Sequence, residues 1–129
     1  MTVPERSQIR GEVAGAYEAL TAAELLLRNS LPRDAVSSAY YATFHAVRAA
    51  LWSRSRNAKT HRGLAALFSQ EFIATKVIEP EYLAIFTQGR EQREKADYDR
   101  IHFAIATEQA SDIVANARRF VERIDRLLT

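Results

Sequence analysis

Between about Pro32 and Ser55 the chain reads as a helix with apolar residues on two faces, and this segment constrains the fold most. Val36, Tyr40, Thr43, Val47 and Leu51 recur at three- and four-residue steps along one face. Tyr41, Phe44, His45, Arg48 and Trp52 share a second. A helix apolar on two sides is central in a bundle or lies at a dimer interface. Ala35, Ala39, Ala42, Ala46, Ala49 and Ala50 would let neighbouring helices approach closely.

The remaining sequence supplies neighbours of the same kind. Val13, Ala16, Tyr17, Leu20, Ala23 and Leu27 make one stripe on a helix from about Glu5 to Arg28, broken by Asn29-Ser30-Leu31-Pro32. Ser30 is expected to cap the next helix, with Pro32 in its first turn. Ser53 to Lys59 is polar and basic, and reads as a loop. Thr60 is the expected N-cap of a short helix to about Ala74, with Leu64, Leu67, Phe68 and Phe72 facing inward. Pro80, flanked by Glu79 and Glu81, marks the next start. That helix turns polar from Gln88, and Ala96-Asp97-Tyr98-Asp99 can end it and cap a last helix from about Arg100 to Leu128. Phe103, Ala106, Ala110, Ile113, Ala117, Phe120, Ile124 and Leu127 form its stripe. With four glycines, three prolines and no sustained strand alternation, the expectation is an all-α, up-and-down antiparallel bundle of four to five helices.

At 129 residues, 47% hydrophobic and 26% charged, the chain has the composition of one globular domain spanning residues 1–129. It has no cysteine, which excludes disulfides and thiolate metal sites. No apolar run approaches the roughly 20 residues that cross a bilayer, and the opening MTVPERSQIR has no apolar signal core. A soluble, cytoplasmic protein without a membrane partner is expected. The net charge of +2 is unevenly spread. No Asp or Glu occurs from Ala35 to Gln70, while Arg48, Arg54, Arg56, Lys59 and Arg62 give that stretch a local charge of +5. Two readings follow: an anionic partner near the segment, or salt bridges to the slightly acidic flanks.

Phosphate loops and the common hydrolase and zinc motifs are absent, and His45, His61 and His102 are far apart in sequence. No metal or cofactor is expected. Three segments could carry chemistry. In Tyr40-Tyr41-Ala42-Thr43-Phe44-His45-Ala46-Val47-Arg48, Tyr41, Phe44, His45 and Arg48 share a helix face. In Lys59-Thr60-His61-Arg62-Gly63, cations gather at a helix N-terminus, where free N–H groups suit phosphate. In Arg93-Glu94-Lys95-Ala96-Asp97-Tyr98, Arg93 and Asp97 stand four apart and can pair on one helix. Each also has a plain structural reading: packed aromatic rings, a capped loop and a salt-bridged helix end.

In this order and spacing, the three segments resemble the marks of a prokaryotic branch of the HEPN domain family. The resemblance runs from about Pro32 to Tyr98. It implies a helical bundle, commonly a homodimer, encoded beside a small nucleotidyltransferase with which it forms a toxin–antitoxin pair. Many HEPN toxins are metal-independent ribonucleases, marked by an Arg, four to six residues and a His on a late helix. This chain departs from that mark: Arg93 is followed by Asp97 and Tyr98, and His102 is nine residues on. An ionised aspartate would repel phosphate. Arg56 and His61 have the spacing, but in the earlier loop.

The expectation is a nucleotide- or RNA-binding or regulatory module. Lys59, Arg62 and Arg93 would contact phosphate, and His61 with Arg93 would form the catalytic pair if the chain cleaves RNA. Tyr41, His45, Asp97 and Tyr98 have structural roles or, for Tyr98, a role as acceptor for nucleotidylation. A metal-independent ribonuclease toxin and a purely structural homodimeric bundle are the alternatives.

Overall fold

Thr2 opens the first helix by accepting the Glu5 amide on its side chain at 3.1 Å, with Pro4 in the first turn. In a computed structural model, which describes residues 2–98 and 104–129, five α-helices follow. They are α1 (Val3–Arg28), α2 (Pro32–Trp52), α3 (His61–Phe68), α4 (Pro80–Tyr98) and α5 (Thr107–Leu128), with a π-helical turn, Ser69–Ile73, after α3. No strand occurs among the described residues. The fold is the expected all-α antiparallel bundle.

The doubly apolar helix is central, with α1, α4 and α5 packed around α2. Its alanines at 35, 39, 42, 46, 49 and 50 are all buried, which permits those approaches. Leu20 of α1, Leu51 of α2, Leu64 and Phe68 of α3, Phe86 of α4 and Phe120 of α5 meet in one core. Each fully buried large side chain contributes roughly 1.5–3 kcal/mol through removal of apolar surface from water.

Several expectations need correction. Ser30 does not cap α2. Its φ is 61°, and the Leu31 amide bonds to the Leu26 carbonyl while the Ser30 amide bonds to that of Leu27. This is a Schellman ending of α1. Ser30 is consumed in closing one helix and cannot open the next, so Leu31 stands at the N-cap of α2 without a side-chain bond. The same device ends α2 at Ser55 (φ 55°) and the π-helical turn at Lys76 (φ 63°). Helix α2 therefore stops at Trp52, short of Ser55. Thr60 does cap α3, accepting the Gly63 amide at 3.0 Å.

The last helix begins at Thr107, with an extended Ala106 at its N-cap and no side-chain cap. The expected start at Arg100, the cap at Asp99, and Phe103 and His102 lie outside the described residues. Ala110, Ala117, Phe120 and Ile124 are buried as the stripe predicts, and Val114 and Val121 widen it. No helix among the described residues is long and apolar enough to cross a membrane.

Candidate nucleotide-binding site

Tyr40 and Tyr41 are adjacent on α2, so their rings diverge by about 100° around the helix axis. Tyr40 is buried, and its ring lies parallel to that of Phe86 on α4, with centroids 6.0 Å apart. Its hydroxyl meets His61 Nδ1 at 2.9 Å. The His61 ring also stacks on Phe86, at 4.4 Å. The imidazole is thus held on one face by an aromatic ring and at one nitrogen by a phenol.

His61 is the first residue of α3, and local sterics fix it there. A Cβ on Gly63 would lie 2.9 Å from the Ala58 Cβ, closer than real Cβ contacts come, and a tight 3.1 Å from Thr60 Oγ1. The Lys-Thr-His-Arg-Gly run therefore needs its glycine for space, because the first turn of α3 folds tightly over Ala58.

From α4, Arg93 reaches the same place. Its guanidinium lies 4.9 Å from the Tyr41 ring centroid and 5.6 Å from that of Tyr40, within cation–π range. Its Nε stands 3.2 Å from Asp97 Oδ2, the expected i,i+4 pair. The two are not aligned for a hydrogen bond, and Nε is buried without a hydrogen-bond partner. One turn earlier, Arg90 pairs with Glu94 at 2.9 Å. His61 is pushed below the usual imidazole value of 6.5, by burial first and by the Arg90 charge second, with Glu94 opposing. Burial raises Tyr40 above the ordinary phenol value, against the pull of Arg90 and Arg93. At neutral pH the pair is a neutral imidazole bonded to a neutral phenol.

His61, Tyr41 and Arg93 are therefore brought together around Tyr40, and Asp97 joins through Arg93. Lys59 and Arg62 flank His61 in sequence and are exposed, and their side chains pair with no described residue. Tyr98 is 79% exposed. His45 belongs elsewhere: it meets Glu12 of α1 at 3.0 Å, as does Arg48 at 3.2 Å. Arg56, the other partner proposed for His61, is engaged by Glu71 at 3.2 Å. Much of the basic middle segment is thus balanced by acidic flanks, and Arg54 lies over the Phe72 ring at 4.9 Å.

Sequence reasoning missed Tyr40 as the partner of His61, missed Phe86 and Glu12 as site residues, and gave Arg90 no role. Tyr40 and Phe86 follow ordinary core spacing, so nothing local set them apart. Behind Tyr40, between α2, α4 and α5, lies a cavity of about 40 Å³ bordered by Thr43, Gln88, Gln92 and Asn116. It has room for water, not a nucleotide. A larger ligand would meet the cluster from its Arg90, Arg93 and Tyr41 side.

A helical bundle with a neutral histidine, two ion-paired arginines and a tyrosine stacked on a phenylalanine at one junction is a small α-helical module. The HEPN domain profile matches residues 13–127, and the chain belongs to that family. It is 38% identical over 123 residues to a Methanocaldococcus jannaschii protein provisionally named a toxin, covering 95% of this chain and 90% of that one. It is 31% identical to the UPF0332 protein of Thermotoga maritima, covering 88% of this chain and 85% of that one. A second M. jannaschii protein with a provisional toxin name is 27% identical, covering 99% of this chain and 86% of its own length.

Proposed function

We propose that this chain is the HEPN component of a toxin–antitoxin-type pair, a homodimeric module that binds nucleotide or RNA phosphates and works with a nucleotidyltransferase partner. The observation that carries the reading is that His61 and Arg93 both contact Tyr40, from α3 and α4. The provisional toxin names of two relatives agree with the setting. In this reading Arg93 is the phosphate clamp, preoriented by the Tyr40 and Tyr41 rings. Lys59 and Arg62 add charge at the start of α3, and a neutral His61 offers a hydrogen bond. Asp97 holds Arg93 when no phosphate is present and competes with phosphate for it. Tyr98 stays a candidate acceptor for nucleotidylation on exposure alone.

The test is a titration of ATP and of a short labelled single-stranded RNA with the purified chain. Binding should weaken about tenfold in Arg93→Ala and in Lys59→Ala, a loss of about 1.4 kcal/mol for each. Unchanged affinity in both would end the reading. Co-elution with a nucleotidyltransferase encoded beside the gene tests the partner, and sedimentation velocity tests the homodimer.

One observation favours a ribonuclease. His61, oriented by the Tyr40 hydroxyl and near the Arg90 charge, has the imidazole and the cationic neighbour that general acid–base cleavage of RNA uses. Cleavage in EDTA by the pure chain, lost in His61→Ala, would establish it. Intact RNA would remove it and leave the binding module standing.

A further inference from the structure

We infer that Glu12, through Arg48 and with His45, is a latch that seats the Asn57–Ala58 loop and thereby sets the position of His61. A chain of contacts runs from α1 to α3. Glu12 is half-buried, and each of its oxygens has a partner on α2: Oε2 takes His45 Nδ1 at 3.0 Å and Oε1 takes Arg48 Nε at 3.2 Å. The α1 helix runs close enough for this because Gly15 leaves room. A Cβ there would press on the His45 ring at 3.3 Å.

Arg48 then holds the loop at two points. Its guanidinium donates to the Ala58 carbonyl at 3.5 Å, and its own carbonyl accepts the Asn57 side-chain amide at 3.2 Å. The Asn57 side-chain oxygen accepts the Ala58 amide at 3.2 Å, which closes the turn. Ala58 is the residue on which the first turn of α3 rests, since its Cβ leaves no space for one on Gly63. A shift of Ala58 is therefore passed by direct contact to the turn that begins with His61. The side chains of His45 and Arg48 have a purpose here that the phosphate reading does not give them. Glu12 is a positioning residue, acting through Arg48 and the loop.

The functional weight of the latch rests on the reading of the His61 cluster as a phosphate site, but its test uses no nucleotide. A failed latch and a failed phosphate site therefore give different results. In the full chain, His61 is titrated by NMR, and amide exchange is followed over residues 58–63. Glu12→Ala should speed exchange there about tenfold relative to the core of α5, and should move the His61 midpoint up toward 6.5 as the ring loses its seat. Glu12→Gln, which keeps the size and an acceptor oxygen, should restore most of both. The control is Glu24→Ala, which breaks a different tie of α1, the 2.6 Å pair with Arg118 on α5. It should leave His61 and the loop unchanged. If Glu12→Ala does not fold, Asn57→Ala cuts the tie on the loop side, and the same changes are expected. An unmoved His61 with unchanged loop exchange, or equal changes in Glu24→Ala, would overturn the latch.

Discussion

Tyr40 serves the core with its ring and the candidate site with its hydroxyl. Tyr40→Phe keeps the stack on Phe86 and deletes only the bond to His61, so stability should fall by roughly 1 kcal/mol. Chemical denaturation measures the loss, and an unchanged midpoint would mean that the bond is replaced by water. Spacing assigns Tyr40 and Tyr41 to different faces of α2 but does not say which face α3 meets. Which of them meets His61 depends on where α3 returns to α2, 21 residues later, and no local pattern records that return. The His61 environment also has a pH signature. Its folded-state pKa lies below the ordinary 6.5, so the unfolded chain binds the proton more readily. The stability linked to His61 is therefore fully present above about pH 6.5 and is lost as pH falls through the folded value. Compared with His61→Gln, the wild-type chain should lose stability more steeply on acidification from about pH 7 to 5. Parallel curves from thermal melts of the two proteins would contradict this.

At the scale of helices, the signals that could be read were those fixed by a single residue's chemistry. Thr60 caps α3, and Pro32 and Pro80 stand in the first turns of α2 and α4. The helix endings were hidden because three of them use a left-handed residue that is not glycine: Ser30, Ser55 and Lys76. A serine two residues before a proline, as Ser30 is, is as good an N-cap in sequence as it is a C-terminal closure in space. Each left-handed non-glycine residue costs about 1 kcal/mol. Lys76→Gly should therefore raise stability by roughly 0.5–1 kcal/mol, visible as an upward shift in melting temperature. Ser55→Gly should gain less, because Ser55 also donates to Glu5 at 2.6 Å. A second contrast concerns how α5 is fastened. Arg123 donates to the Val77 carbonyl at 2.9 Å as well as pairing with Glu79, and its side chain is 17% exposed. Arg119 hydrogen-bonds Glu81 and Asn116 at the surface and lies over the Tyr82 ring at 5.9 Å. Arg123→Ala should cost about 1–2 kcal/mol, and Arg119→Ala clearly less. Equal losses in denaturant titrations would show that the part-buried carbonyl bond carries no weight.

For the molecule as a whole, periodicity and the doubly apolar α2 were enough to imply a bundle, since a helix with two apolar faces must be enclosed. Charge was harder to read, because the sign of a segment says nothing about what folds against it. The run from Ala35 to Gln70 holds no carboxylate, yet Glu12 and Glu71 reach it from α1 and the π-helical turn. On the α4 side of the cluster, Arg90 and Arg93 carry their own carboxylates, Glu94 and Asp97. The cations beside the cluster are thus largely matched by carboxylates, and this limits how RNA could bind there. If Lys59, Arg62 and Arg93 are the contacts, about three phosphates are neutralised per protomer. The logarithm of affinity for single-stranded RNA should then fall with the logarithm of salt with a slope of about −2. Lys59→Ala should make that slope shallower by about 0.7. Asp97→Asn distinguishes this site from a general basic surface. It removes the anion that competes for Arg93 while keeping a side chain of the same shape, so RNA should bind several-fold more tightly at constant salt. A slope steeper than about −5, or an Asp97→Asn variant that binds no better, would mean that RNA meets the bundle on another face.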